Sequence, residues 1–235
     1  MVTVAVLGGL AVALFGMAAV GLLADRYLSD PDDLRADLLV SDANKWAVFA
    51  LLCGYVLVVE GRPLSSMTGR SLAPLAFVAV VGGGVFVLFA ANAVTAPVFD
   101  RLGVGGLDEG MSGLGSLSVR HRLFVAGTAG ITEEVLFHGY AIERLLELTG
   151  SPLLAGGVSF AAFTASHAVG WERGAVARIA VPALLTTVMY LLVRDVVALV
   201  CIHALNDAVG LLLAGSVEDA GDADGADAAA DGTAR

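Results

Sequence analysis

Residues 123–142 read LFVAGTAGITEEVLFHGYAI, an apolar run of membrane-helix length interrupted near its middle by two adjacent carboxylates, Glu133 and Glu134. A charged side chain at the centre of a membrane helix costs at least ~2.5 kcal/mol on insertion scales, so a pair of them there marks a functional site. The rest of the chain says what surrounds that pair. Of its 235 residues, 57% are hydrophobic and only 15% are charged, and the mean hydropathy is +0.84. Soluble domains are roughly 45–50% apolar, so this composition indicates an integral membrane protein.

Crossing ~30 Å of hydrocarbon takes about 20 residues of helix. Apolar runs on that scale lie near residues 2–24, 46–60, 72–98, 123–145, 152–170, 175–193 and 196–215, the second being the weakest. The expected fold is therefore all-α: a polytopic transmembrane bundle of about seven spans forming one domain over 1–215, with its chemistry over about 120–215. The first run is read as a helix rather than a signal peptide, because it is too long and no Lys or Arg precedes it. Cys53 and Cys201 both lie inside apolar runs, so neither a disulfide framework nor a cysteine metal site is expected.

Flanking charges set the expected orientation. With seven crossings, Arg26, Arg35, Lys45, Arg101, Arg120, Arg122, Arg173, Arg178 and Arg235 fall on one side, and Arg62, Arg70, Arg144 and Arg194 on the other. Positive charge favours the cytoplasm, which predicts a multi-pass cell-membrane protein with its N-terminus outside and its C-terminus inside. The net charge is −10, and the final stretch, SVEDAGDADGADAAADGTAR over 216–235, holds six acids and one base. Having little to bury, that acidic tail is expected to be disordered. Asp30, Asp32, Asp33 and Asp37 add an acidic first loop.

Nothing basic and aromatic-interleaved points to nucleic acid as a partner. The Gly- and Ser-rich segment over 101–122 contains GVGG, but it lacks the Gly-Lys-Ser/Thr ending of a phosphate-binding loop and the flanking strand. It is read as a connecting loop, with Asp108 and Glu109 solvated and His121 at the surface.

Few imidazole or charged groups remain inside the last four apolar runs: Glu133, Glu134 and His138, then His167, then His203 with Asp207. From the ~1.5 Å rise per residue, Glu133 lies roughly 16 Å in from Arg122, and Asp207 roughly 12 Å in from Gly215. These depths let the groups meet in one cavity open to the cytoplasm. Glu134 and His138 are four residues apart, as are His203 and Asp207, so each pair shares a helix face. Glu133 is turned about 100° from Glu134, so one glutamate is expected to act directly and the other to support it.

EEVLFHG, FTASH and HALND, in that order on three apolar segments, resemble the motifs of the CAAX-protease and bacteriocin-processing family of intramembrane proteases, also called CPBP or Abi proteins. The family pattern is Glu-Glu-x-x-x-Arg, Phe-x-x-x-His and His-x-x-x-Asn/Asp, matched here by Glu133, Glu134, Phe163, His167, His203 and Asp207. The resemblance covers about residues 120–215. His138 stands where the family has arginine, and histidine, unlike arginine, is not permanently charged. Arg144, six residues further on, faces another way.

The resemblance implies hydrolysis of a peptide bond in a membrane-anchored or lipidated substrate. Glu133 would act as general base on a water placed with His167, His203 and Asp207 would stabilise the oxyanion or complete the site, and Glu134, His138 and Phe163 would support it. Zinc is a further expectation, since Glu133, His167 and His203 have ligand chemistry, although no HExxH is present. Two other classes use intramembrane Glu and His: a transporter or proton relay, and a non-catalytic membrane relative in which these residues only join helices. The absence of an internal repeat weighs against the transporter.

Overall fold

The computed structural model describes the backbone over residues 2–28 and 34–232, and side chains over 4–28, 35–107, 111 and 113–214. Among the described residues the fold is all-helical, and the only β-type pairing is a single bridge between Gly69 and Asp195. The described residues form nine α-helices in chain order: α1 (Val2–Tyr27), α2 (Leu34–Val58), α3 (Pro74–Arg101), α4 (Leu107–Gly115), α5 (Val119–Glu133), α6 (Glu143–Thr149), α7 (Pro152–His167), α8 (Arg173–Val193) and α9 (Val196–Gly232). A 3-10 turn, Leu64–Met67, precedes α3, and a π-helical segment, Glu134–Ile142, joins α5 to α6 without a break.

Among the described residues, four helical stretches are long and apolar enough to cross a bilayer: Val4–Tyr27, Pro74–Arg101, Arg173–Val193 and Val196–Ala214. Three expected segments differ in form. The second was expected over 46–60, but α2 begins at Leu34, because its first turns carry Arg35, Asp37, Asp42 and Lys45, which lower its hydropathy without stopping the helix. The fourth is compound, passing from α through π to α. The fifth ends at His167 rather than at residue 170. The glycine-rich connection also contains a helix, α4, rather than a plain loop; the side chains of Asp108 and Glu109 lie outside the described residues.

Local chemistry sets the ends. Gly150 takes a left-handed conformation (φ 65) that closes α6, and Ser151 then caps α7, its hydroxyl accepting from the Leu154 amide at 3.3 Å, with Pro152 in the first turn. Asp195 opens α9 by accepting from the amides of Val197 and Ala198 at 3.0 and 3.1 Å. Its other oxygen accepts from the Leu72 amide at 2.9 Å, which ties the start of α9 to the segment before α3.

The core lies where α1, α2, α7 and the π segment meet. Val6, Leu10, Ala13 and Leu14 of α1 repeat at helical spacing and pack with Val48, Leu52 and Val56 of α2 and with Leu136, Phe137 and Tyr140 of the π segment. Outward, Leu75, Val78, Phe86 and Val94 of α3 and Leu153 of α7 are strongly exposed, as a lipid-facing surface requires. The tail expected to be disordered over 216–235 is helical in its described backbone as far as Gly232, as the continuation of α9; its side chains lie outside the described residues.

A buried ionic cluster closes the end of the bundle away from the cavity described below. Arg144, wholly buried, donates through Nε and Nη2 to Glu60 Oε2 at 3.0 and 2.8 Å, and through Nη2 to Ser66 Oγ at 2.8 Å. Tyr140 donates to the other Glu60 oxygen and carries the guanidinium over its ring, 5.0 Å from the centroid. One arginine thus joins the segment just after α2, the 3-10 turn, the π segment and α6.

Candidate active site

Glu133 is the last residue of α5, and Glu134 opens the π segment. Adjacent positions on a helix point in different directions, and the two carboxylates diverge accordingly. Glu133, 4% exposed, turns toward a cavity of about 380 Å³ between α1, α2 and the end of α7. Glu134, 1% exposed, turns into the bundle toward α9.

On the cavity side, Lys45 Nζ lies 2.8 Å from Glu133 Oε1, and His167 Nε2 lies 3.9 Å from Glu133 Oε2. His167 Nδ1 is 2.9 Å from the Phe163 carbonyl one turn earlier. A carbonyl only accepts, so Nδ1 carries a proton, and Nε2 is the ring nitrogen turned toward Glu133. Phe163 packs its ring against His167 with centroids 4.7 Å apart, and Phe137 packs edge-on to Phe163 at 5.2 Å. The family-type phenylalanine therefore sets the tilt of the imidazole and supplies the carbonyl that fixes its tautomer.

On the inner side, His203 Nδ1 is 2.7 Å from Glu134 Oε1, and His203 Nε2 is 3.2 Å from Asp207 Oδ2. Both partners are carboxylates, so the ring serves both when each nitrogen carries a proton. Asp207, one turn along α9 and more exposed, also accepts from Asn206 Nδ2 at 3.2 Å. His138 Nδ1 approaches Glu134 Oε2 at 2.6 Å, a charge contact whose direction falls short of a hydrogen bond. Its Nε2 is 3.1 Å from Thr187 Oγ1, whose hydroxyl already donates to the Ala183 carbonyl at 2.8 Å. Thr187 can then only accept from His138, which places a proton on Nε2.

The six expected residues form one contiguous cluster drawn from α5, the π segment, α7 and α9, but they do not share one cavity. Only Glu133 and His167 line it. Glu134, His138, His203 and Asp207 form a second layer behind them, because the turn of about 100° between Glu133 and Glu134 sends the two carboxylates to different faces of the helix. Arg144 stays with Glu60 and plays no part in either layer.

Several residues had another reading in the sequence. Lys45, counted there as a flanking charge, is the ion-pair partner of Glu133. Arg122, also counted as flanking, is buried and donates to the Leu211 carbonyl at 3.0 Å, pinning α5 to α9. His121, expected at the surface, is half-buried, with its Nε2 enclosed and unpartnered. A signal for Lys45 was present: it stands three residues after Asp42 and three before Val48, which heads the buried stripe of α2.

The zinc expectation meets a geometric test. Among the described residues, no three His, Cys, Asp or Glu side chains converge as a metal-binding group. His203 has both nitrogens on carboxylates, and Glu133 has one oxygen on Lys45. As arranged, Glu133, His167 and His203 do not form a zinc site, and no step below is routed through a metal.

Fold and site together define a class: an α-helical membrane protein with a carboxylate–histidine cluster buried in its bundle. Residues 116–209, which carry every residue of the three motifs, match the family model described as Type II CAAX prenyl endopeptidase Rce1-like, in agreement with the family those motifs resemble. That is a protease family, which supports a peptidase. No curated protein and no solved structure matches the chain.

Proposed function

We propose that this protein is an intramembrane endopeptidase that cleaves a membrane-anchored or lipidated peptide with a water activated by Glu133 and His167. The observation that carries this reading is the cavity-facing pair itself: a buried carboxylate whose Oε2 faces His167 Nε2 across 3.9 Å, with the other ring nitrogen held by the Phe163 carbonyl. In the proposed resting state that Nε2 is unprotonated, so a water between the two donates a proton to each, which fixes its orientation for attack.

In the proposed sequence, the water oxygen bonds to the peptide carbonyl carbon while Glu133 takes one of its protons. The tetrahedral oxyanion accepts from a neighbouring N–H; the donor proposed is the Nε2 proton of His203, behind the cavity wall and held only by the more exposed Asp207. Collapse breaks the C–N bond, and the proton on Glu133 passes to the departing amine. Glu134, braced by His138 and His203, keeps His203 in place.

The reading includes seven crossings. The four helices with span-like composition are joined by α2, the α5–π–α6 unit and α7, whose polar residues Asp42, Glu133, Glu134, His138 and Ser159 are buried in the bundle. Setting aside Lys45, Arg122 and Arg144, which are engaged inside the protein, leaves seven flanking cations on one side and three on the other. That asymmetry supports an external N-terminus and a cytoplasmic C-terminus in a cell membrane, with the cavity open to the cytoplasm.

Proteoliposomes containing the protein, given a fluorogenic peptide ending in a prenylated CAAX sequence and the same peptide without its lipid, test the reading. The expected result is cleavage of the lipidated peptide at one bond, located by mass spectrometry. Failure to cleave either peptide, together with ion-driven solute uptake, would favour the transporter class instead.

A further inference from the structure

The chain holds thirteen Lys and Arg residues, and only one of them, Lys45, is a lysine. That single ammonium lies against Glu133, on the wall of the same cavity. It comes from α2, outside the segment that matches the protease family. The choice of lysine matters physically. An ammonium is a compact point charge on a flexible stem, whereas a guanidinium is a broad planar fork suited to gripping both oxygens of a carboxylate. Lys45 holds only Oε1 and leaves Oε2 turned toward His167.

Joining α2 to α5 does not require this ion pair. Trp46, the next residue, donates from Nε1 to Thr128 Oγ1 on α5 at 3.1 Å, and Val48, Leu52 and Val56 continue the buried stripe of α2 beyond Lys45 and pack it into the core. The Lys45 side chain is 24% exposed against 6% for Glu133, so it reaches the carboxylate from the open side of the cavity. A residue placed there, with the helix contact secured by its neighbour, acts on the carboxylate itself.

We propose that Lys45 is a positioning residue of the site: it holds Oε1 of Glu133 so that Oε2 faces His167 and the water between them. This rests on the peptidase reading above and extends the site beyond its three motifs. Lys45 touches neither the attacking water nor the scissile bond; it works through Glu133, so its loss is read in turnover rather than in substrate capture.

The test compares K45M, K45R and E133Q with the wild type, using the prenylated CAAX peptide in proteoliposomes and thermal unfolding in detergent. Expected for K45M is a fall in kcat on the order of 10²-fold with KM unchanged and unfolding near wild type; K45R should recover part of the loss by restoring charge. A lowered unfolding temperature with unchanged kcat would make Lys45 a structural pin and overturn the proposal. Full activity in E133Q would overturn Glu133 as the base, and with it the proposal; absence of cleavage by the wild type would overturn the peptidase reading instead. A second readout is independent of turnover: acylation of Lys45 by an amine-reactive ester, mapped by mass spectrometry. Labelling should be faster in E133Q than in the wild type, since the ammonium is released there, and equal rates would overturn the proposal.

Discussion

Glu134 on the π segment and His203 on α9 meet at 2.7 Å, and through this contact the first and third motifs become one site. The same carboxylate takes His138 on its other oxygen, so Glu134 is the hub of the inner layer, with no exposure to the cavity. Breaking a buried pair by removing one partner costs about 3–5 kcal/mol, because the other is left uncompensated. Glu134→Ala should therefore lower unfolding stability by about that amount and also abolish cleavage. Chemical denaturation alongside the peptide assay checks it; a variant of wild-type stability would show that His203 finds its counter-charge elsewhere.

His138 fills a closed space between Thr187, Phe163 and Tyr190, with ring centroids 6.3 Å from Phe163 and 5.8 Å from Tyr190. Restoring the family's arginine should not improve this protein. His138→Arg adds bulk to a packed position and is expected to destabilise it by about 1–3 kcal/mol. Enhanced activity at unchanged unfolding temperature would instead mean that the pocket expands to receive a guanidinium.

Arg144 and Glu60 predict a stability effect apart from the chemistry. Replacing Arg144 by Met strands the buried Glu60 carboxylate and should cost about 3–5 kcal/mol. Adding Glu60→Gln to that variant should recover part of the loss, since the stranded charge is gone. A double-mutant cycle on unfolding free energy measures the coupling; a value near zero would refute the ion-pair account of this cluster.

At Gly139 the π segment packs against the 3-10 turn, and a Cβ there would collide with the Met67 carbonyl oxygen and crowd Val196. Gly139→Ala should destabilise by about 1–3 kcal/mol, since backbone must move to admit the methyl group. Gly127→Ala, on a face with nothing within 4 Å, is the control and should be neutral or slightly stabilising. Equal behaviour of the two would argue against the close approach.

The helical membrane fold and the six polar residues of the motifs were legible in the sequence because each departs sharply from an apolar background. Less could be read where composition and geometry part company. The π segment has the same apolar run as an α-helix, and the pattern VLFHGYAI does not distinguish the two periods. The start of α2 was hidden because hydropathy penalises Asp42 and Lys45, although buried partners on α5 accommodate Lys45. Arg122 and Lys45 look like interfacial charges at the edges of apolar runs; that one reaches the Leu211 carbonyl and the other Glu133 depends on contacts across 89 and 88 positions of sequence, which no local pattern encodes. The placement of all six motif residues in one cavity failed for a simpler reason: consecutive helix positions cannot face the same space.

The most direct measurement is the cleavage rate of the prenylated CAAX peptide by Glu133→Gln, with the wild type and His167→Ala alongside, in proteoliposomes of equal protein content. Glutamine keeps the size of the side chain and removes its capacity to accept a proton. General-base assistance contributes about 10²–10⁴-fold, so the account predicts a loss of at least that order in kcat for Glu133→Gln, in a variant that still folds. Cleavage by Glu133→Gln at the wild-type rate would contradict the assignment of Glu133 as the base and, with it, the central claim about this site.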